Sequence, residues 1–292
     1  MPFLDINGAS LHVHSTGKGI PIVFIHPPLL TSETFNYQKA QLSDEFQVIT
    51  FDVRGHGESK PTESKITYSL LAEDIRQLLD AHGIDKAYLC GYSTGGGVVL
   101  EALLTYSDRF LGAIIVSGMS EVKDFFNKGR IWLASQLTGT TGTRKLLAAA
   151  VSVGNADMKI TYNNLYGSAR KGKADNLHDY YQASLKYNAT RRLPAIKQPV
   201  LLIYGEKDRS YHPYAHLLHD KLQNSSLYFI KDGKHQVIVK QANKVNDLIR
   251  LWVDSLQDQK TDRGQLDLDI ARKLNPDMYM YNENGETLNP RH

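Results

Sequence analysis

The amino-acid sequence predicts an α/β fold on a mostly parallel sheet, and three observations carry that prediction. Short β-rich runs alternate with helical patterns along most of the 292 residues, the signature of strands joined by crossover helices. The pentapeptide Gly91-Tyr92-Ser93-Thr94-Gly95 stands where one apolar run ends and a helix-compatible run begins. The alternation breaks once, from about residue 120 to residue 193, and then resumes.

The elements follow in order. Phe3 to Ile6 and Ser10 to His14 read as a hairpin around Asn7-Gly8, a dipeptide suited to the positive φ values of a tight turn. Ile22–Ile25, Gln47–Phe51, Ala87–Cys90, Ala113–Val116, Val200–Tyr204 and Leu227–Ile230 are nearly continuous in apolar residues, as strands buried on both faces must be. With the hairpin they make an eight-stranded sheet. Tyr68 to His82 places Leu71, Ile75, Leu78 and Leu79 on one helical face, and Lys240 to Leu256 does the same with Val245, Leu248, Ile249 and Trp252. The expected division is a core of residues 1–119 and 195–256, a helical cap of residues 120–194 inserted after the sixth strand, and an arm of residues 257–292.

The insertion is basic, with twelve Lys or Arg residues against five Asp or Glu, a formal +7, while the whole chain carries only +3. A solvated basic face is the plain reading, and a lid favouring anionic substrates is the sharper one. The small overall charge gives no electrostatic case for nucleic-acid binding. Cys90 is the sole cysteine, so no internal disulfide is expected, and it reads as a buried strand residue. The N-terminus lacks a signal-peptide pattern and no run is long enough to span a bilayer. The expectation is a cytoplasmic protein. In the arm, Leu266, Ile270 and Leu274 recur at helical spacing, and Met278-Tyr279-Met280-Tyr281 follows. Two uses are open: a solvated tail, or a strap across a second copy in a homodimer.

A serine at a sharp strand-to-helix turn is held clear of both elements. The glycines let strand and helix approach, and the helix N-terminus offers free N–H groups to an anion. A hydroxyl needs a base, and the base needs a carboxylate to orient it. Both should stand after later strands, where loops gather at the C-terminal edge of a parallel sheet. Asp208 directly follows the Val200 run and His235 directly follows the Leu227 run. Glu206 and Asp232 are the competing acids. His212, His216 and His219 have helical spacing, but no carboxylate or cysteine cluster accompanies them, so no metal site is expected.

On these residues the chain resembles the lid-bearing branch of the α/β-hydrolase family over roughly residues 3 to 256. The resemblance implies Ser93 as nucleophile, His235 as general base and acid, and Asp208 as the residue orienting His235, with Glu121 after the sixth strand as a further competing acid at a site that some members use. It implies no cofactor. Asp52-Val53-Arg54-Gly55-His56-Gly57-Glu58-Ser59 resembles the family's D-x-R-G-x-G-x-S loop, with Asp52 and Arg54 expected to be structural. The family's oxyanion hole would take one N–H from Thr94. Its second donor belongs to a His-Gly-x loop, which here reads His26-Pro27-Pro28-Leu29. Proline has no N–H, so Leu29 is the expected donor in a rebuilt loop, around a cis peptide in one version, with Thr31, Ser32 or a lid tyrosine as alternatives. Tyr92 and Pro28 are expected to touch substrate. The expected activity is hydrolysis of a small carboxylic ester or related acyl compound through an acyl-enzyme. C–C, thioester, lactone and peptide hydrolysis fit the same triad. A ligand receptor or regulatory partner on this fold is the reading from another class.

Overall fold

Asn7 and Gly8 take φ values of 48° and 71° and turn β1 (Phe3–Ile6) back onto β2 (Ala9–Thr16). A computed structural model describes residues 3–257, and beyond them the backbone of two short strands. The sheet continues through β3 (Ile20–Ile25), β4 (Phe46–Phe51), β5 (Ala87–Tyr92), β6 (Phe110–Val116), β7 (Val200–Gly205) and β8 (Ser225–Ile230). The spatial order is β1-β2-β4-β3-β5-β6-β7-β8. From β4 to β8 every neighbouring pair is parallel. This is the eight-stranded, mostly parallel core that the alternating pattern predicts.

Two further strands, β9 (Tyr279–Tyr281) and β10 (Thr287–Leu288), extend the sheet, β9 lying antiparallel on β8. Aromatic-rich segments suit a strand, and the last parallel strand of a sheet is a template on which a further strand can pair. The helical repeat expected at residues 266–274 lies outside the described residues.

Helices cover both faces. α2 (Tyr68–Ala81), α3 (Gly95–Thr105) and α8 (His212–Lys221) cover one, and α1 (Asn36–Leu42) and α10 (Ala242–Gln257) the other. Thr67 caps α2 by accepting the Leu70 N–H at 3.1 Å. The second predicted helix starts late, because a short α9 (Val237–Lys240) comes first and Gln241 breaks the helical backbone. Val245, Leu248, Ile249 and Trp252 are buried as predicted, each worth about 1.5–3 kcal/mol in removed apolar surface.

Between β6 and β7 stand α4 (Phe125–Leu137), α5 (Thr141–Asn155), α6 (Lys159–Ala169) and α7 (Ala174–Lys186). The two ends of this helical insertion are tied together at a neck. Ala189 N–H donates to the Ser120 carbonyl at 2.9 Å, and the hydroxyls of Ser120 and Thr190 lie 2.8 Å apart. Among the described residues no helix is long and apolar enough to cross a membrane.

The strand order fixes where a site can form. The connection after β3 runs to one side and the connection after β5 to the other. Their carboxyl ends therefore flank a crevice at the topological switch point, where ligands bind in open α/β sheets.

The loop after β4 braces that crevice. The Asp52 carboxylate accepts the Ser32 and Glu58 N–H groups, each at 2.9 Å, and faces the His12 ring at 3.2 Å. Burial would raise its pKa, but these hydrogen bonds outweigh it and hold the group below the usual carboxylate range. Arg54 makes a bidentate pair with Asp74, both bonds 2.6 Å and both side chains buried. The expectation of structural roles for Asp52 and Arg54 agrees with these contacts.

His56 in the same loop is fully buried, with Nδ1 donating to the Arg54 carbonyl at 2.9 Å. Burial, aided by His26, pushes it down to about 3. The unfolded chain takes up this proton near pH 6.5 and the folded chain only near 3. Stability is therefore expected to be full above pH 6.5 and to fall as pH drops, by up to about 1.4 kcal/mol per pH unit for this one group. Urea unfolding from pH 7 to pH 4.5 measures the slope. A flat profile would contradict a neutral buried imidazole.

Candidate active site

Ser93 sits at φ 54°, a left-handed conformation rare for residues with a Cβ. Its N–H donates to the Val116 carbonyl at 2.8 Å and its carbonyl accepts the Gly96 N–H at 3.0 Å. The turn is locked between β6 and the first turn of α3. A Cβ at Gly95 would lie 2.4 Å from the Ile25 carbonyl oxygen, and one at Gly91 2.7 Å from the Gly95 oxygen. Only glycine allows β5, α3 and β3 to converge so closely.

His235 and Asp208 arrive on the loops after β8 and β7. His235 Nε2 is 3.0 Å from Ser93 Oγ, and His235 Nδ1 is 2.8 Å from Asp208 Oδ2. The carboxylate can only accept, so Nδ1 carries the proton and Nε2 is free to accept from the serine. Ser117, itself at φ 49°, anchors the histidine loop by donating to the His235 carbonyl at 3.0 Å. The structure thus brings together the three residues selected from the sequence. The competing acids go elsewhere. Glu121 accepts from Asn188 and Thr190 at the neck, Glu206 accepts the Asp232 N–H, and Asp232 pairs with Lys207.

The loop after β3 is rebuilt without a cis peptide bond; Leu29 instead turns at φ 72°. His26 Nε2 accepts the Val53 N–H at 2.9 Å, leaving Nδ1–H to donate to the Pro27 carbonyl at 2.9 Å. Tyr180 donates to the His26 carbonyl at 2.9 Å and Tyr181 to the Pro28 carbonyl at 3.5 Å. The Leu29 side chain is buried against Leu147, Leu177 and Tyr181. Among the described residues neither the Leu29 N–H nor the Thr94 N–H meets a protein acceptor. The Thr31 hydroxyl is engaged with Ser168, and the backbone N–H of Ser32 donates to Asp52.

Above Ser93 is a cavity of about 380 Å³, bounded by the elbow, the proline loop, α4 and α5. Pro28 and Tyr92 both line it. The Tyr92 hydroxyl donates to Asn155 at 2.9 Å, tying the elbow to the end of α5. On the other side Tyr68 donates to the Thr94 carbonyl at 3.0 Å and also meets Ser184 on α7. A second groove, of about 440 Å³ between α2 and α7, contains neither Ser93 nor His235.

Sequence reasoning missed Tyr211. Its ring lies 4.2 Å from the His235 ring and it also lines the cavity. Burial raises its phenol well above the ordinary value, against the charge of Arg130 and a contact with Ser93 that pull it down. Its place three residues after Asp208 was the one available signal. Cys90 is buried as expected, and burial holds its thiol far from ionisation. Among the described residues no group of His, Cys, Asp or Glu could hold a metal ion.

A parallel sheet with a strained serine at its switch point defines a class, and the comparisons agree with it. The family model of the α/β hydrolase fold matches residues 20–241, and the chain belongs to that family. It is similar to human serine hydrolase BPHL, with 26% identity over 83% of this chain and 82% of that one. It is also similar to 3-oxoadipate enol-lactonase 1 of Acinetobacter baylyi, with 26% identity over 75% of this chain and 83% of that one. Among solved structures an esterase from Exiguobacterium antarcticum superposes with a TM-score of 0.78 at 20% identity, covering 86% of this chain and 98% of its own.

Proposed function

We propose that the protein is a serine hydrolase that cleaves a small carboxylic ester or related acyl compound through an acyl-enzyme. The observation that carries this reading is the continuous line from Ser93 Oγ to His235 Nε2, 3.0 Å, and from His235 Nδ1 to Asp208, 2.8 Å, at the floor of the cavity. Ser93 Oγ attacks the carbonyl carbon while His235 Nε2 takes its proton. Asp208 keeps the imidazole in the tautomer that can accept and stabilises the imidazolium that forms. The same proton goes to the leaving alcohol, and a water activated by His235 then releases the acid and frees Ser93. The developing oxyanion is held by the Thr94 N–H, with the Leu29 N–H as the second donor, and the N-terminal end of α3 adds its dipole. Relatives whose names include serine hydrolase and enol-lactonase support ester and lactone chemistry.

The test is covalent. A fluorophosphonate probe is expected to label Ser93, read by peptide mass spectrometry, and labelling is expected to vanish in Ser93→Ala. An unlabelled wild-type chain with no turnover of short-chain 4-nitrophenyl esters would reject the hydrolase reading and favour a ligand receptor on this fold.

A further inference from the structure

We propose that the cavity above Ser93 contains a subsite for a carboxylate, held by Arg130, so that the substrate is an ester or lactone bearing a free acid group. The proposal rests on the hydrolase reading and names the substrate class of that site.

Arg130 projects from α4 and lines the same cavity as Ser93 and His235. Among the described lining residues it is the sole Lys, Arg, Asp or Glu. No carboxylate among the described residues pairs with it. Its contacts are a long 3.5 Å approach to Asn127 Oδ1 and the face of the Phe126 ring at 5.5 Å. Lys171 and Arg192 are paired with Glu58 and Glu101, and what sets Arg130 apart from the other cations of the insertion is its place in the cavity lining.

The charge of Arg130 reaches the reacting end of the cavity. It acts on the phenols of Tyr92 and Tyr211, opposing the rise that burial imposes on both. These two rings flank His235, with centroids at 5.6 and 4.2 Å. The rest of the wall is largely hydrocarbon, including Ile131, Leu133, Leu137, Leu147 and Val151. Arg130 is itself exposed, and an exposed guanidinium beside such a wall matches a carboxylate in a two-pronged geometry. The complementary ligand is therefore an aliphatic acyl compound with an acid group at one end.

Two esters of equal length test this: the 4-nitrophenyl monoester of glutaric acid, which carries a free carboxylate, and neutral 4-nitrophenyl pentanoate. The wild-type kcat/KM is expected to favour the acid by about tenfold or more. Arg130→Gln should erase that ratio while changing the neutral ester by less than about threefold, and Arg130→Lys should keep part of it. Lys128→Gln, on the same helix but outside the cavity lining, should leave the ratio unchanged. A ratio that is absent in the wild type, or that survives Arg130→Gln, overturns the proposal while Ser93-dependent turnover of the neutral ester keeps the hydrolase reading. If neither ester turns over, calorimetry of monomethyl glutarate on Ser93→Ala decides the subsite separately. Binding weakened about tenfold by adding Arg130→Gln supports it, and no binding or equal binding rejects it.

Discussion

Replacing Ser93 with alanine is expected to lower kcat for a simple aryl ester by on the order of 10⁴- to 10⁶-fold, and His235→Ala by a similar factor. The two are not independent. The hydroxyl is useful because His235 Nε2 stands 3.0 Å away to take its proton, so once either is lost the other has nothing to do. The double variant should therefore be no slower than the worse single variant. Asp208→Asn keeps a hydrogen-bonding group against His235 Nδ1 but can present an N–H where an acceptor is needed. It should favour the wrong tautomer and cost on the order of 10⁴-fold. Single-turnover kinetics on purified variants measure all four. Additive losses, or a Ser93→Ala chain that keeps more than a few per cent of its activity, would refute the proposed mechanism.

A second large effect is expected on stability. Arg54→Ala should cost about 3–5 kcal/mol, because it leaves the Asp74 carboxyl buried without its bidentate partner. Asn7, which donates to Asp74 at 2.8 Å, would be the main remaining donor. Replacing both members with apolar residues of similar size, as in Arg54→Met with Asp74→Leu, should recover much of the loss, since neither charge is then stranded. Urea unfolding at pH 7 gives the comparison. If the double variant is less stable than Arg54→Ala, the pair contributes more than desolvation takes away.

The sheet and the proposed catalytic residues were readable for a shared reason. Strands buried on both faces must be apolar, so they stand out in the chain, and catalytic groups of a parallel sheet must follow strand ends. Ser93, Asp208 and His235 are found by that rule. Glu121 also follows a strand, yet its carboxylate is drawn to Asn188 and Thr190, a choice made by contacts distant in sequence. Arg130 is one of twelve cations in a basic insertion, and nothing local tells which one faces a cavity. The bond from Tyr92 to Asn155 depends on how α5 packs over the elbow. The proline pair showed that the usual donor was missing, but not that the loop would turn left-handed at Leu29. Helix packing over the sheet is decided by side-chain fit, which periodicity does not encode.

The neck has a consequence for how the chain reaches its native state. β6 pairs directly with β7, although residues 117–199 separate them. If those residues were a random coil, closing so long a loop would cost roughly 2–3 kcal/mol more than closing one of a few residues. Helices form faster than distant strands find each other. An insertion that folds first, and whose ends meet at Ser120 and Ala189, shortens the effective loop before β7 docks. Variants that loosen the neck, such as Ser120→Ala, would then slow refolding more than they speed unfolding, because the contact acts before the transition state. The ties that hold the insertion over the serine would also set the rate at which the sheet is completed.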